Sequence, residues 1–335
     1  MSSTYVPVQR IERIEPHPNA DKLELAIVGG WQCVVAKGRY SGGDLITYIP
    51  PDSIIPQELS DRLGVTKYLS KGRVRATKLR GEPSFGLVMD PAGNEGDNVA
   101  ALLGIEKYQP PMKFNAGEPE PQDPMFVEYT DIENLRHFPT AFADGEDVVA
   151  TEKIHGTNCR IALIREPDGT FRKLAGSRTL QRKFAENSTY WFAWTAPGVE
   201  ALMQSLSSAP DVMMVVLFGE VYGKVQAMRY GLPNGLAFRA FDIMVNGHFL
   251  DYLPFRDACE AHGVAVAPPI FAGSYSLEFI KEASKGHSLI PGADHIREGV
   301  VVRPLKERRD PKIGRLILKY VSDDYLCGEY DGASE

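Results

Sequence analysis

Residues 148–164, VVATEKIHGTNCRIALI, place a polar turn with a glycine between two apolar, strand-like runs. Val148–Ile154 and Arg160–Ile164 have the aliphatic and β-branched composition of strands, and Gly156 lies in the turn between them. Lys153 stands near the end of the first run, so its amine can enter a pocket while backbone N–H groups of the turn stay free for phosphate. A neutral lysine is a capable nucleophile, but its unperturbed pKa near ~10.4 means that a site must help it lose its proton.

Strand-like and helix-like runs follow this turn in mixed order. The predicted strands are Asp211–Val221, Ala237–Val245, Glu298–Arg303 and Leu316–Val321, and the predicted helices lie around Thr189–Ser207, Pro254–His262 and Ser276–Lys285. Antiparallel sheets with intervening helices, rather than a strict alternation of strand and helix, are typical of an α+β domain.

The first part of the chain consists of short strand-like runs between turns. The predicted strands are Val8–Ile11, Leu23–Val28, Gln32–Ala36, Leu45–Ile49 and Phe85–Met89. Because their separators are rich in Pro, Gly, Asn and Asp, this part is predicted to form a small β-barrel or sandwich. Gln109–Met125 then has five prolines in 17 residues, which is typical of an extended linker. The predicted division is therefore a domain at 1–108, a linker at 109–125 and a second domain at 126–335.

Composition excludes several classes of protein. The chain has 335 residues, of which 43% are hydrophobic and 24% charged, unlike a disordered chain, a collagen or a coiled coil. No apolar run approaches the ~20 residues of a membrane span, and no secretory signal is visible. Its four cysteines are far apart and form no CxxC pair, so a disulfide framework or a zinc site is not expected. These features predict a soluble, intracellular protein, cytoplasmic or, in a eukaryote, nuclear.

The net charge of −7 is unevenly distributed. Residues up to 110 hold 13 Lys and Arg against 13 Asp and Glu, whereas the remainder holds 24 against 31. Within the balanced part, Lys67–Arg80 has six basic side chains and no acidic one. Phosphate contact depends on local potential, so this run is a candidate nucleic-acid surface, although a solvated edge strand and loop is an equal alternative. The candidate contact residues are Lys71, Arg73, Arg75, Lys78 and Arg80.

Two stretches resemble known families. Ile14-Glu-Pro-His-Pro-Asn-Ala-Asp-Lys-Leu23 resembles a loop of the tRNA-binding oligonucleotide-binding fold (OB-fold) found in some tRNA synthetases. Glu152-Lys-Ile-His-Gly-Thr-Asn158 resembles motif I of the covalent nucleotidyltransferases, the superfamily of ATP-dependent ligases and RNA capping enzymes. His155 at the third position of KxHGTN is similar to the branch of RNA ligases typified by phage T4 RNA ligase 2.

Five further motifs follow in the order of that superfamily. They are Gly176–Arg178 (motif Ia), Leu217–Tyr222 (motif III), Phe238–Ile243 (motif IIIa), Arg297–Val301 (motif IV) and Leu316–Tyr320 (motif V). With an OB-like domain in front, the layout resembles the Deinococcus- and Naegleria-type RNA ligases. The resemblance implies an α+β protein in which a small OB-like β-barrel precedes an antiparallel-sheet nucleotidyltransferase domain, ATP-grasp-like in fold.

The resemblance also implies roles for the matched residues. Lys153 would attack the α-phosphorus of ATP, Glu298 would bind Mg²⁺ or Mn²⁺, and Lys319 would hold the α-phosphate. Phe241 would stack on adenine, and Asp242 would bind a ribose hydroxyl or assist the RNA end. The remaining candidates for binding the nucleotide are Glu152, Ile154, Asn158, Arg178 and Glu220, and Arg178 would later contact the strand with the 5′-phosphate.

Two segments depart from the family pattern or allow a second interpretation. Ile317 occupies the position of the first of two motif V lysines, and Arg315 is a possible substitute charge. Tyr129–Asn134 resembles the family segment that lies along the adenine, but Asp131 could equally cap a short helix. Trp191 and Trp194, three residues apart, favour a place in the core over an RNA stacking platform.

The resemblance implies an ATP-dependent RNA ligase that joins 3′-OH and 5′-phosphate ends through lysyl-AMP and an adenylylated 5′ end, in RNA repair. The expected partner is RNA, as a nicked duplex or broken ends, or an RNA/DNA hybrid, and the expected state is a monomer. Two alternatives remain: another nucleotidyltransferase, such as a DNA ligase or a guanylyltransferase, or a non-catalytic OB-fold RNA-binding protein. His155 in place of Asp argues against the first, and the presence of Lys153, Glu220 and Glu298 against the second.

Overall fold

A computed structural model describes residues 4–109 and 115–328 of the chain. These residues form two compact units, one of residues 4–109 with Leu326–Gly328 and one of residues 115–325. No helix in the described ranges is long and apolar enough to cross a membrane.

The first unit is built from short antiparallel strands. They are β1 Val8–Arg10, β2 Arg13–Pro16, β3 Leu23–Val28, β4 Trp31–Ala36, β5 Leu45–Ile49, β6 Ser53–Ile54, β7 Ala76–Leu79, β8 Glu82–Phe85, β9 Leu87–Met89 and β10 Glu106–Lys107, with the helix α1 Gln57–Arg62 between β6 and β7. They pair as β1-β5-β9, β2-β3-β4, β6-β10 and β7-β8. Strands with one apolar face enclose two buried clusters, one around Trp31 and Tyr48 and one around Ile49 and Leu59.

The end of the basic run, Ala76–Arg80, forms the first strand and part of the turn of the hairpin β7–β8, and Lys67–Arg75 precede this hairpin. Its two-residue turn, Arg80-Gly81, has positive φ at both positions (54° and 92°), as tight hairpin turns require. The OB-like loop supports this turn, because Asn19 Nδ2 donates to the Arg80 carbonyl (3.1 Å) and His17 Nε2 lies 3.0 Å from the Leu79 carbonyl.

The second unit contains two five-stranded sheets. Its strands are β11 Glu133–Asn134, β12 Asp147–Glu152, β13 Thr157–Arg165, β14 Phe171–Ser177, β15 Met214–Gly223, β16 Leu236–Val245, β17 His248–Phe249, β18 Pro269–Ser274, β19 Gly299–Pro304, β20 Arg309–Asp310, β21 Gly314–Arg315 and β22 Leu318–Val321. The first sheet has the order β11-β22-β19-β12-β18 and the second the order β14-β13-β15-β16-β17. The helices are α2 Val199–Leu206, α3 Tyr252–Ala261, α4 Leu277–Ala283 and α5 Asp323–Leu326.

The two strands that flank the lysine turn belong to different sheets. β12 lies in the first sheet and β13 in the second, so residues 153–156 cross from one sheet to the other. Gly156 allows this crossing, because a Cβ there would lie 2.3 Å from the Val221 carbonyl oxygen. Val149 of the first sheet packs in one core with Cys159 and Ile161 of the second, so the sheets face each other.

Three sequence predictions differ from the structure in detail. The predicted helix Thr189–Ser207 is a 3₁₀ helix at Trp191–Thr195 followed by α2, because Pro197 and Gly198 (φ 76°) interrupt it. The predicted strand Phe85–Met89 falls across β8 and β9. The described part of the predicted linker is not free, since Glu120 N donates to Gln181 O (3.2 Å) and Lys183 N donates to Glu118 O (2.9 Å). Linker residues 110–114 lie outside the described residues.

Candidate active site

Strand pairing joins the lysine of the turn to a glutamate distant in sequence. Lys153 follows β12, Glu298 precedes β19, and these two strands are antiparallel neighbours. Lys153 N donates to the Gly299 carbonyl at 2.9 Å, and Lys153 Nζ lies 2.7 Å from Glu298 Oε1. Glu220 of β15 interacts electrostatically with both members of this pair, and Asn158 is its partner on the neighbouring strand β13. We call the space between these four residues the cleft.

The charged side chains in the cleft shift one another's pKa values. Burial by itself would lower the pKa of Lys153, but the carboxylates of Glu298 and Glu220 outweigh it, so the pKa lies above its ordinary value. Burial would raise the pKa of Glu298, yet the Lys153 ammonium and His155 bring it below its usual range. Without a ligand, the pair is therefore an ammonium and a carboxylate.

The pKa of Glu220 shifts in the opposite direction to that of Glu298. Burial raises the pKa of Glu220 to about 8, the ammonium of Lys153 opposes this rise and the carboxylate of Glu298 adds to it. At neutral pH Glu220 is therefore mainly a neutral carboxylic acid, which can donate as well as accept a hydrogen bond.

His155 of the lysine turn is held by two tyrosines that sequence analysis did not single out. Its backbone N–H donates to Tyr230 Oη at 2.7 Å. Its Nδ1 lies 3.2 Å from Tyr325 Oη and 3.4 Å from Glu298 Oε2. No motif in the sequence marks either tyrosine, since both contacts arise from the fold.

The residues suggested for adenine and ribose lie near the turn with different degrees of exposure. Phe241 is half-buried, with its ring 5.0 Å from that of Tyr129. Ile154 is buried in an apolar cluster with Tyr222 and Tyr230. The Glu152 side chain is occupied, since its carboxylate accepts from Ser288 Oγ (2.6 Å) and Leu289 N (2.8 Å).

Asp242 lies in a buried ionic network rather than at the open cleft. Its fully buried carboxylate accepts from Tyr129 Oη (2.9 Å) and pairs with Arg303 Nη1 (3.1 Å) and Arg315 Nη2 (2.6 Å). Glu307 completes the network by binding both arginines. Contact between Asp242 and a ribose or an RNA end, as sequence analysis suggested, would have to displace these partners.

The same network corrects the suggestion that Arg315 replaces a motif V lysine. The Arg315 guanidinium is buried, and its Nε also pairs with Glu307 Oε2 at 2.7 Å. Its charge is therefore neutralised inside the domain. Ile317 is buried with 4% exposure and brings no charge either.

Lys319 lies half-buried on β22, opposite Val301 of β19. Burial, together with the charges of Lys319 and Arg136, lowers the pKa of His137 to about 4, so that histidine is neutral at physiological pH.

The contacts of Arg178 and Asn134 exclude Asp131 as the cap of the short helix that follows residues 129–134. Arg178 Nη1 pairs with Asp131 Oδ1 at 2.9 Å, and the guanidinium stays partly exposed. Asn134, not Asp131, caps the 3₁₀ helix Leu135–His137, because its Oδ1 accepts from Arg136 N at 3.0 Å. Trp194 is buried and Trp191 half-buried, in agreement with a place in the core.

Four of the five residues proposed for nucleic-acid contact are exposed: Lys71, Arg75, Lys78 and Arg80. Arg73 differs, since its Nη2 pairs with Asp52 Oδ1 at 2.6 Å and its guanidinium lies 3.6 Å from the centre of the Tyr108 ring. The structure therefore gives Arg73 partners within its own unit.

The cleft fits a divalent metal only if other groups complete the coordination. In residues 4–109 and 115–328, no three His, Cys, Asp or Glu side chains are arranged to hold a metal ion. Glu298 Oε2 and Asn158 Oδ1 are nevertheless buried without a hydrogen-bond partner in the described part of the chain. Mg²⁺ commonly takes one or two carboxylates and leaves its other positions to water and phosphate, so Glu298 fits such a metal.

Comparison with models of protein families identifies the class of this protein. The family described as RNA ligase matches residues 146–321, just over half of the chain, and an OB-fold domain matches residues 5–91. The chain therefore belongs to the RNA ligase family, and its α+β fold with an N-terminal OB-fold domain is confirmed. No curated protein gives a significant match.

Solved structures of one protein resemble the chain over almost its whole length. Naegleria gruberi RNA ligase with pyrophosphate has a TM-score of 0.80 at 24% identity and covers 96% of this chain and 98% of its own. A variant of that ligase with ATP and Mn has a TM-score of 0.79 at 23% identity, with the same coverage. A ligand-free variant has a TM-score of 0.80 at 23% identity and covers 97% of each chain.

Proposed function

We propose that this RNA ligase is ATP-dependent and uses Lys153 as its nucleophile. The amine attacks the α-phosphorus of ATP, a P–N bond forms, and pyrophosphate leaves. AMP then passes from lysine to the 5′-phosphate of an RNA end, and a 3′-OH attacks that end and releases AMP. The observation that carries the proposal is the Lys153–Glu298 pair, with a 2.7 Å contact in the cleft between two sheets. The similar ligase with ATP and Mn supports the choice of nucleotide and metal.

Lys153 must lose a proton before it can react. In the ligand-free cleft Glu298 stabilises the ammonium, which is the unreactive form. A divalent metal at Glu298 would supply positive charge that weakens this pairing, favours the neutral amine and offsets phosphate charge. Lys153 therefore stays protonated until the nucleotide and the metal bind.

Other residues of the cleft serve the nucleotide. Asn158 and the neutral carboxyl of Glu220 hydrogen-bond the ribose, and the half-buried Phe241 ring stacks on adenine. Lys319 places a positive charge at the α-phosphate. Arg178 pairs with Asp131 through one nitrogen, which leaves other N–H donors for ribose or phosphate.

Three buried residues position the site through contacts inside the protein: Glu152, Ile154 and Asp242. The carboxylate of Glu152 and the side chain of Ile154 fix the two sides of Lys153 through their buried contacts. Asp242 fixes Tyr129, whose ring lies against Phe241. These residues thus shape the nucleotide site without touching the reacting atoms.

The OB-fold unit supplies RNA contact in this proposal. Four exposed basic residues contact phosphates, with little readout of bases: Lys71, Arg75, Lys78 and Arg80. Arg73 instead stabilises the run through its ion pair with Asp52. The substrate is a nicked duplex or broken RNA ends in repair, including RNA/DNA hybrids, and the protein acts as a monomer inside the cell. The proposed division assigns RNA binding to residues 1–108, a linker to residues 109–125 and catalysis to residues 126–335, with residues 115–125 packed within the second unit.

The test is incubation with α-labelled ATP and Mg²⁺ or Mn²⁺, followed by denaturing electrophoresis, with Lys153→Ala alongside. The expected result is a labelled band in the wild type that is absent in the variant. No band from folded wild-type protein, shown by mass to carry no AMP already, would contradict the proposal and favour an RNA-binding protein without catalysis. A band with GTP but not with ATP would indicate a guanylyltransferase.

A further inference from the structure

Tyr230 has an unusual backbone for an aromatic residue. Its φ is 52°, in the left-handed region that bulky side chains rarely adopt, and its side chain is buried. Among the described residues it is the only aromatic one with positive φ. Such unfavourable conformations persist only where the surroundings hold them, and they concentrate at functional sites.

This conformation brings the tyrosine to the lysine turn. Tyr230 Oη accepts from His155 N at 2.7 Å, two residues after the nucleophile. The ring is held from two sides by edge-on contacts, 5.0 Å from the Tyr222 ring and 4.5 Å from the His295 ring, measured between centroids. The hydroxyl therefore has a fixed position against the backbone of the turn.

Tyr325 approaches the same histidine through its side chain. Tyr325 Oη lies 3.2 Å from His155 Nδ1, and the two rings are 5.7 Å apart. α5 keeps it there, because Asp323 pairs with the buried Arg136 at 2.5 Å and Tyr325 N donates to Ser322 Oγ at 3.2 Å. The two tyrosines thus hold one histidine by different groups, its backbone and its ring.

We propose that Tyr230 and Tyr325 are positioning residues, a tyrosine clamp, that fix the lysine turn for adenylylation. His155 Nδ1 lies 3.4 Å from one oxygen of Glu298, and Lys153 Nζ lies 2.7 Å from the other. When the turn is fixed at His155, the histidine ring and the Lys153 amine both stay in contact with the Glu298 carboxylate. The distance between the amine and the oxygen that would bind the metal then stays constant. The proposal rests on the proposed function, because the clamp acts through Lys153.

The first experiment measures the clamp without catalysis. Amide hydrogen exchange across residues 153–158 is compared in the wild type, Tyr230→Phe and Tyr252→Phe. Tyr252 is a matched control, since its buried hydroxyl has no hydrogen-bond partner in the described ranges. We expect about tenfold faster exchange at this turn in Tyr230→Phe, because one buried hydrogen bond is lost. No change is expected in Tyr252→Phe. Equal exchange in all three proteins would overturn the proposal.

The second experiment measures the rate of lysyl-AMP formation and separates the two tyrosines. Tyr230→Phe and Tyr325→Phe are each expected to lower the rate at saturating ATP by about 5- to 10-fold, with little change in KM, since neither hydroxyl is assigned to the nucleotide. In a His155→Ala background, Tyr325→Phe should have no further effect, because it acts on the ring, whereas Tyr230→Phe should keep its effect, because it acts on the backbone. Equal effects of Tyr325→Phe in both backgrounds would contradict the clamp.

The two experiments also distinguish failure of the clamp from failure of the proposed function. If Tyr230→Phe does not fold, Tyr325→Phe and its His155→Ala double variant still decide the proposal. If the wild type forms no adduct, the proposed function fails, and hydrogen exchange alone decides whether the clamp holds the turn.

Discussion

Two groups of charged side chains in the second unit differ in how their carboxylates are hydrogen-bonded. In the network of Asp242, Arg303, Arg315 and Glu307, two positive and two negative side chains neutralise one another, and both Asp242 oxygens are bonded. In the cleft, Glu298 Oε2 is buried, and its contact with His155 Nδ1, at 3.4 Å, does not have hydrogen-bond geometry, so this oxygen has no hydrogen-bond partner among the described residues. In the network, Arg303 Nε is the one buried side-chain atom that lacks a partner among the described residues, and every carboxylate is bonded. Buried polar groups are normally satisfied, so an unbonded carboxylate oxygen is a reason to look for a ligand, whereas fully paired carboxylates indicate a role in the fold.

The network joins the two sheets. Asp242 lies on β16 of the second sheet and Arg303 on β19 of the first, so their ion pair crosses the space between the sheets. The Arg315 guanidinium also lies 3.5 Å from the centre of the Phe249 ring on β17. These contacts link the two sheets through buried charges.

The largest effect should come from breaking the Asp242 network. Asp242→Asn would leave two buried arginines with one carboxylate, and such changes typically cost about 3–5 kcal/mol of stability. Chemical denaturation of the variant and the wild type would measure the loss. A change within error would mean that the network contributes little to the fold, and the contrast with the cleft would fail.

A matched pair of glutamates tests whether the two groups differ in function. Glu298→Gln should lower lysyl-AMP formation by about 10²- to 10³-fold, since it removes the charge that holds the lysine and would bind the metal. Glu307→Gln, the same change in the network, should lower stability but keep the activity of the folded protein within a few-fold of the wild type. The measurements are single-turnover adenylylation and thermal unfolding of both variants. Equal losses of activity would contradict the assignment of roles.

Glu220 should make stability depend on pH. Its pKa of about 8 in the folded protein lies above its ordinary value, so the folded state binds more protons than the unfolded state between these pH values. Stability should therefore fall as pH rises from about 5 to 8. Glu220→Gln, which resembles the protonated form, should flatten this fall, as measured by denaturation at several pH values. An unchanged slope in the variant would mean that Glu220 is ionised in the folded protein.

The smallest effect should come from the exposed hairpin. Lys78→Glu should weaken RNA binding several-fold and reduce its dependence on salt, because one phosphate contact is lost. Lys281→Glu, the same change at an exposed lysine of α4, is the control and should have little effect. Fluorescence anisotropy with labelled RNA at two salt concentrations would compare them. Equal weakening by both substitutions would indicate a general effect of charge and not a surface on the hairpin.

Local sequence predicted the parts of the site that depend on motifs and strand pattern. The strand-like runs before Lys153 and after Glu298 are confirmed as β12 and β19, and the family and the α+β fold with its OB-fold domain are confirmed as well. Sequence could not show that the lysine turn crosses between sheets, since a hairpin and a crossing have the same apolar–polar–apolar pattern. The register that places Lys153 against Glu298 is likewise a long-range property.

The residues that sequence analysis missed or misplaced are those defined by distant contacts. Tyr230, Tyr325 and His137 have no local signal, because their partners lie far away in the chain. Arg315 was suggested as a free charge from its position near motif V, but the structure neutralises it with Asp242 and Glu307. Composition and spacing can identify a charged side chain, whereas only the fold determines whether that charge is already paired.

The most direct test of Lys153 as the nucleophile is to identify the residue that carries AMP. The protein would be incubated with ATP and a divalent metal, digested and analysed by tandem mass spectrometry, with Glu298→Gln and Glu307→Gln in parallel. We expect AMP on Lys153 in the wild type and in Glu307→Gln, and little or none in Glu298→Gln. AMP on another lysine, such as Lys319, or equal labelling of both glutamate variants would contradict this assignment.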